Sequence, residues 1–306
     1  MLDIRFVRAD PDVIREDLKK RNDVEKIAWV DDLLLQDIRH RELIGQTNEL
    51  RRRRNSISHD INRAKKAGED ASGLITEAAN LPGKIKENET EMEEISAKIR
   101  NYLMRIPNIL HESVPVGADD TENVEIRSVG TPRTFNFELK NHGQLAADNN
   151  WADFERATKT SGAGFYFLKG SLVLLDLALQ RFSLDTLMKK GYTPVIPPYM
   201  INRKSYEEVT DLDDFEKVMY KIEDNDAYLI ATSEHPMAAM YQDEIFEEKE
   251  LPLRLAGLSP CFRREIGSHG LDTKGLFRVH QFHKVEQFVY CHPDISWEIH
   301  EELCKN

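Results

Sequence analysis

Hydrophobic and polar positions divide the chain into three textures. From about Ile27 to Ile106 the apolar residues are sparse and periodic. Leu74, Ala78, Leu81, Ile85, Asn88, Met92, Ile95, Ile99, Tyr102 and Ile106 step by four and three, a heptad seam. Leu43, Leu50, Ile57 and Ala64 step by seven, with Ile27, Val30 and Leu34 ahead of them. The polar stretch "KKAGEDASG", bearing glycine, separates the two patterns and reads as a turn. Two long helices joined by so short a turn must run antiparallel. At 1.5 Å per residue, a helix of about 40 residues reaches about 60 Å, too long to bury itself in a globule. Pro82 lies inside the second pattern and predicts a kink or a late helix start there. Ahead of the arm, residues 1–24 read as a short α/β lead-in whose helix, "DPDVIREDLKKR", takes Pro11 in its first turn.

The texture then changes. A proline- and glycine-bearing linker over 111–134 separates an N-terminal domain, 1–110, from a globular one, 135–306. Residues 164–191 begin as a strand and become an amphipathic helix with Leu172, Leu175, Leu179 and Phe182 on one stripe, and Gly191 is its C-terminal stop. "YTPVIPPYM" is a strand with a proline break. "LSPCFRRE" is a short strand, "IGSHGLDTKG" a glycine loop, and "LFRVHQFHKVEQFVYC" a half-buried strand of alternating character. The fold class is α+β: a long antiparallel helical hairpin, a coiled-coil arm over about 27–106, followed by an antiparallel sheet domain flanked by helices.

Composition sharpens this in two ways. The 306 residues are 40% hydrophobic and 31% charged, with a formal charge of −12, which argues against broad nonspecific binding to nucleic acid or anionic membrane. The start of the chain has no apolar signal segment, and no stretch approaches a membrane span. Cys261, Cys291 and Cys304 are too few for a disulfide framework, so a reducing, cytoplasmic setting is expected. Against the acidic background, residues 51–66 carry seven basic residues and one acidic one. A generic heptad region is a structural or dimerising coiled coil, and a charge run is usually a solvated face. A run beginning Arg51, Arg52, Arg53, Arg54 near a helix tip also suits a phosphate-bearing partner.

Alternation on the predicted hairpin places Arg263 with Glu265 on one face, and Arg278, His280, Phe282, Lys284 and Glu286 on one face. Such a face could be solvated and laced with cross-strand ion pairs. Guanidinium, carboxylate and aromatic groups together also suit a nucleotide: arginine forks onto phosphate, a ring stacks a base and a carboxylate holds an ammonium. "GSHGLDTKG" lacks P-loop spacing, so a bound ATP would lie on a sheet. A zinc site from His280, His283, Cys291 and His292 is disfavoured, because residues three apart on a strand face opposite sides; no metal site is expected.

At these residues the chain resembles the seryl-tRNA synthetases, class II aminoacyl-tRNA synthetases. "FRREIGSHGLDTKGLFRVHQFHKVEQF" resembles their motif 2 (about 258–290), "GYTPVIPPYM" their motif 1 (about 191–200, with Pro197 at the motif proline), and "TSEHP" their serine-binding T-x-E element. The hairpin resembles their N-terminal arm, which reaches the long variable arm of serine tRNA. The resemblance runs from the first residues to about Tyr290. It implies a serine–tRNA ligase that activates L-serine with ATP and passes it to tRNA(Ser), with tRNA(Sec) an open further substrate, as a homodimer through motif 1. It implies that Arg263 and Glu286 are catalytic, and that Thr232, Ser233, Glu234, Arg263 and Glu286 bind serine. Arg263, Arg264, Glu265, Arg278, Val279 and Phe282 would bind ATP, with Mg2+ carried on its phosphates, and Arg51, Arg52, Arg53 and Arg54 would bind tRNA. A side-chain base is not needed for adenylation, since the serine carboxylate is ionised at pH 7. The family's third motif, G-x-G-x-x-R, is absent from the 306 residues, and Arg278 is their last arginine. The expectation is therefore a partial synthetase domain that would not aminoacylate by itself. The rival readings are a tRNA-binding paralogue without catalysis, against which Arg263, Glu265, Phe282, Glu286 and "TSE" all speak, and a coiled-coil scaffold.

Overall fold

The structure is a computed structural model and describes residues 2–117, 119–210, 216–265 and 275–306. Most of the expected glycine loop lies outside the described residues. The chain forms two compact units, Met1–Thr131 and Pro132–Asn306.

In the first unit, α1 (Ile4–Ala9) is capped by Asp3, which accepts from the Arg5 amide at 2.7 Å, and α2 (Pro11–Lys20) has Pro11 in its first turn. The lead-in is thus helical throughout, not α/β: the Asp3 cap starts the first helix and turns Val7 into the core. The arm is α3 (Val24–Ala67) and α4 (Ser72–Arg105), and α3 stops at Gly68, whose left-handed φ of 76° glycine adopts without penalty. Every residue of the second seam is buried or half-buried. The helix starts ten residues ahead of Pro82 and runs through it, so the expected late start does not occur. Leu81 and Ile85, buried against α3 on either side of the proline, hold the backbone helical despite the lost amide.

At the base of the arm Leu2, Val7, Ile14, Leu18, Val30, Leu33, Leu103 and Ile106 form one core. Buried in it, Asp37 accepts a fork from Arg8 at 2.7 and 2.6 Å and a further bond from Arg41 at 3.0 Å. The Arg8 bonds, above all, hold its carboxyl below the usual range.

The second unit is built around the strands β3 (Thr193–Val195), β6 (Leu253–Phe262) and β7 (Gln281–Tyr290). β6 and β7 pair antiparallel from Leu253 opposite Tyr290 to Phe262 opposite Gln281, while β3 runs parallel to β6. Small pairs β1 (Ala152–Asp153) with β2 (Phe167–Leu168), and β4 (Met200–Asn202) with β5 (Ala227–Leu229), stand beside it. The helices are α5 (His142–Asp148), α6 (Phe154–Ser161), α7 (Ser171–Lys189), α8 (Arg203–Val209), α9 (Glu234–Ala239) and α10 (Ser296–Lys305). One sheet face is covered through Leu184 and Leu187 of α7 and Leu303 of α10, which meet Ala256, Val285 and Val289. The expected α7 stripe is not the buried one: Leu179 is 57% and Phe182 69% exposed, because the residues that meet the sheet, Leu184 and Leu187, lie on a different face of the helix. Among the described residues, no helix is long and apolar enough to cross a membrane.

Candidate active site

The face of β6 and β7 opposite α7 and α10 carries the candidate site. Register places Gly257 opposite Glu286, Ser259 opposite Lys284 and Cys261 opposite Phe282, all on one side. The loop from β5 crosses this face and enters α9 through Thr232 and Ser233. Gly257 makes that crossing possible: a Cβ there would lie 2.6 Å from Met237 Cε and 2.7 Å from Ser233 Oγ. Ser233 is buried and bonds the Gly257 carbonyl at 3.3 Å, so its hydroxyl serves the fold and does not line a cleft. Thr232 Oγ1 donates to Glu286 Oε2 at 3.1 Å and accepts the Glu234 amide at 3.2 Å. Lys284 also lies on Glu286 Oε2.

Two clefts meet here. One, of about 460 Å³, is lined by Thr210, Val218, Ala231, Thr232, Glu234, His235 and Lys284. The other, of about 380 Å³, is lined by Leu276, Phe277, Val279 and Phe282. Arg263, Glu265 and Arg278 line both. Arg263 donates from Nε to the Ala231 carbonyl at 3.3 Å, and its guanidinium stands 5.2 Å from the Phe282 ring centre. Arg278 Nε and Glu265 Oε2 are 2.5 Å apart. The first cleft thus offers both carboxylates and cations, and the second an aromatic face beside two guanidinium groups.

Of the residues singled out in the sequence, Arg263, Glu265, Arg278, Val279, Phe282, Thr232 and Glu234 line these clefts, and Glu286 touches Thr232 behind them. Arg264 does not join them: it is exposed, lines neither cleft, and its amide donates to the Val218 carbonyl at 2.8 Å, because alternation turns it away from Arg263. Sequence reasoning assigned no role to His235 or Lys284. Lys284 was visible in the parity of "HKVE"; His235 reaches the site only through the fold. Burial foremost, with Lys284 and Arg263 nearby, pushes the His235 imidazole down to about 4, so it is neutral at physiological pH.

The expected strand begins later than its pattern, at Gln281 and not Leu276. The Arg263 amide still donates to the His280 carbonyl at 2.9 Å, but the His280 amide donates to Gly164 at 2.9 Å, and the ladder ends there. His283 Nδ1 meets Asp176 at 3.1 Å on the opposite side, and among the described residues no three His, Cys, Asp or Glu side chains converge to hold a metal.

On the arm, the four arginines divide. Arg53 forks onto Glu77 at 2.6 and 2.7 Å, and Arg51 meets Glu89 at 2.7 Å, both across the hairpin. Arg52 has only Glu49 at 3.9 Å, one turn away, and Arg54 is exposed and forms no ion pair among the described residues.

Comparison with known proteins agrees with this architecture. The seryl-tRNA synthetase N-terminal domain family matches residues 1–110, and the class II tRNA synthetase core domain family (G, H, P, S and T) matches residues 218–306. A serine–tRNA ligase of Methanospirillum hungatei is 90% identical over all 306 residues, and the chain spans 72% of its length. A serine–tRNA ligase of Thermococcus onnurineus is 48% identical, with 71% of its length covered. Two crystal structures superpose over the whole chain. Seryl-tRNA synthetase from Pyrococcus horikoshii, complexed with ATP, has a TM-score of 0.90 at 46% identity with 73% of its chain covered. Cytoplasmic serine–tRNA ligase from Naegleria fowleri, in complex with AMP, has a TM-score of 0.84 at 32% identity with 74% covered. With arm, sheet and both family matches in one chain, the protein belongs to the seryl-tRNA synthetase family.

Proposed function

We propose that the chain carries the serine- and ATP-binding part of a ligase that activates L-serine with ATP and transfers it to tRNA(Ser), and that these 306 residues, which lack G-x-G-x-x-R, do not aminoacylate by themselves. The observation that carries the reading is the position of Arg263, whose side chain lines both clefts at once. Serine would occupy the cleft of Thr232 and Glu234, its ammonium and hydroxyl drawn to the carboxylates of Glu234 and Glu286. ATP would occupy the cleft of Phe282, with Arg263 and Arg278 toward the phosphates. The reaction then falls at the shared wall. A serine carboxylate oxygen attacks the α-phosphorus, the bond to the bridging oxygen breaks, and pyrophosphate leaves with that electron pair. Arg263 stabilises the charge that grows on the phosphoryl oxygens, and the step takes no proton from the protein. In the second step the terminal ribose hydroxyl of tRNA attacks the seryl carbonyl and AMP leaves.

Magnesium would arrive with the nucleotide. The described residues offer no three-ligand cluster, which fits an ion held by phosphate oxygens and water, neutralising phosphate charge when bound. Arg52 and Arg54 on the arm favour a phosphate backbone, serine tRNA first, with selenocysteine tRNA an open further partner. The exposed apolar residues of α7, with Ile196 and Met200 of the motif 1 segment, favour a homodimer through that surface. The chemistry belongs in the cytoplasm, beside its tRNA. A chain that only bound tRNA would not need two clefts sharing an arginine.

The test is Glu286→Gln, which keeps the shape and removes the charge. Losing a charged hydrogen bond in a desolvated site costs about 1.5–3 kcal/mol, or about 10- to 100-fold in kcat/KM for serine. In a version that includes the third motif, serine-dependent ATP–pyrophosphate exchange should show that loss with the KM for ATP little changed. Unchanged serine dependence would overturn the assignment.

A further inference from the structure

We infer that His280 is a positioning residue: its Nδ1–H takes the place of the missing ladder donor to the Arg263 carbonyl and so fixes the arginine that both clefts share. This rests on the reading of that site given above. Arg263 and His280 form the next pair of the β6–β7 ladder, and in an antiparallel hydrogen-bonded pair each residue donates its amide to the other's carbonyl. Only half of that exchange is present. The Arg263 amide donates to His280, but the His280 amide donates to Gly164, leaving the Arg263 carbonyl without its ladder donor.

The His280 side chain fills the gap. Its Nδ1 stands 2.9 Å from the Arg263 carbonyl oxygen, and a carbonyl can only accept. The bond therefore requires the tautomer with the hydrogen on Nδ1. In that tautomer the Tyr220 hydroxyl oxygen, 2.8 Å from the same nitrogen, is a second acceptor. The ring is held from the other side as well. Phe165 stacks on it with centres 5.0 Å apart and planes 12° from parallel. Gly164 lets it in: a Cβ there would lie 2.3 Å from Cδ2, and the glycine's φ of 81° is left-handed.

These contacts bear on catalysis because of what Arg263 does. Its backbone is tied through His280, and its guanidinium lies over Phe282, two residues on from His280. If the carbonyl loses its donor, the backbone at Arg263 is freed at the point where the ladder has already ended. The guanidinium then loses its fixed place between the two clefts. The effect should fall on phosphate binding, while Thr232, Ser233 and Gly257, which shape the serine side, remain held by their own contacts.

The test compares His280→Ala, His280→Asn and His280→Gln. An asparagine amide can place N–H where Nδ1 stands; a glutamine amide overlays Nε2 instead. ATP and serine affinities of the purified protein are measured by equilibrium dialysis, with thermal melting as the check on folding. His280→Ala should weaken ATP binding about tenfold, the size of one lost hydrogen bond at a buried acceptor, with serine binding changed much less. Asparagine should restore most of the loss and glutamine little. Full ATP affinity in His280→Ala, an equal loss for both ligands, or an asparagine variant as weak as alanine would each overturn the inference and leave the ligase reading standing. A wild-type protein that binds no ATP would overturn both.

Discussion

Replacing Arg52 and Arg54 by alanine should cut the salt dependence of tRNA binding far more than replacing Arg51 and Arg53, although all four belong to one sequence run. Arg53 is committed to a two-point fork on Glu77 and Arg51 to Glu89, while Arg52, 82% exposed in its side chain, has one carboxylate at 3.9 Å. For a phosphate to recruit Arg53 it must displace a bidentate carboxylate; for Arg52 it need displace only water and one long contact to Glu49. Each phosphate neutralised adds about 0.7–0.9 to the slope of log affinity against log salt, so losing two contacts removes about 1.4–1.8. Across the interval from about 50 to 200 mM salt, that is about a tenfold difference in how much affinity is lost. Filter binding of tRNA(Ser) at several salt concentrations measures the slope directly. The Arg51/Arg53 pair should instead loosen the hairpin, read as faster amide exchange near residues 51–60 and 77–89. Equal slope changes for the two pairs, or none for Arg52/Arg54, would refute the division.

Two further outcomes follow from the sheet face. Gly257→Ala should destabilise the protein by about 1–3 kcal/mol and raise the KM for serine, since the new methyl, 2.7 Å from Ser233 Oγ, must push the 231–234 crossing off β6; urea unfolding and exchange kinetics measure the two effects. His235, pushed down to about 4 by burial and the nearby cations, is neutral in the fold but charges at its ordinary value near 6.5 when unfolded, so stability is full above about 6.5 and lost as pH falls toward 4. Urea unfolding at pH 7 and 4.5 should show about 2–3 kcal/mol of acid loss that His235→Gln lacks, and equal acid loss in both proteins would contradict it.

The arm was legible because heptad spacing is a local property that one partner helix satisfies. Pro82 misled as a start signal because its cost is also local, whereas the burial of Leu81 and Ile85 that outweighs it comes from α3. The same distinction explains the arginines. A run of four on a helix occupies four different directions, so only some can face the partner helix, and which of them find Glu77 or Glu89 depends on residues more than twenty positions away. On α7 the apolar stripe is not the face that meets the sheet, because periodicity tells which residues share a face and not what that face meets.

The active site shows where strand parity suffices and where it stops. Parity alone sets Phe282, Lys284 and Glu286 together and turns Arg264 away from Arg263, and the observed register obeys it over ten residue pairs. Parity holds only while the ladder holds, and the ladder ends at Arg263 and His280, where the chain leaves two-strand geometry for contacts with Gly164 and Tyr220. Gly164 and Tyr220 lie 116 and 60 positions before His280, and the glycine's service is the absence of an atom. Cleft-lining residues such as Phe282 and Lys284 are therefore readable from alternation, whereas those that hold the broken ladder in place become visible only when its missing hydrogen bond is traced.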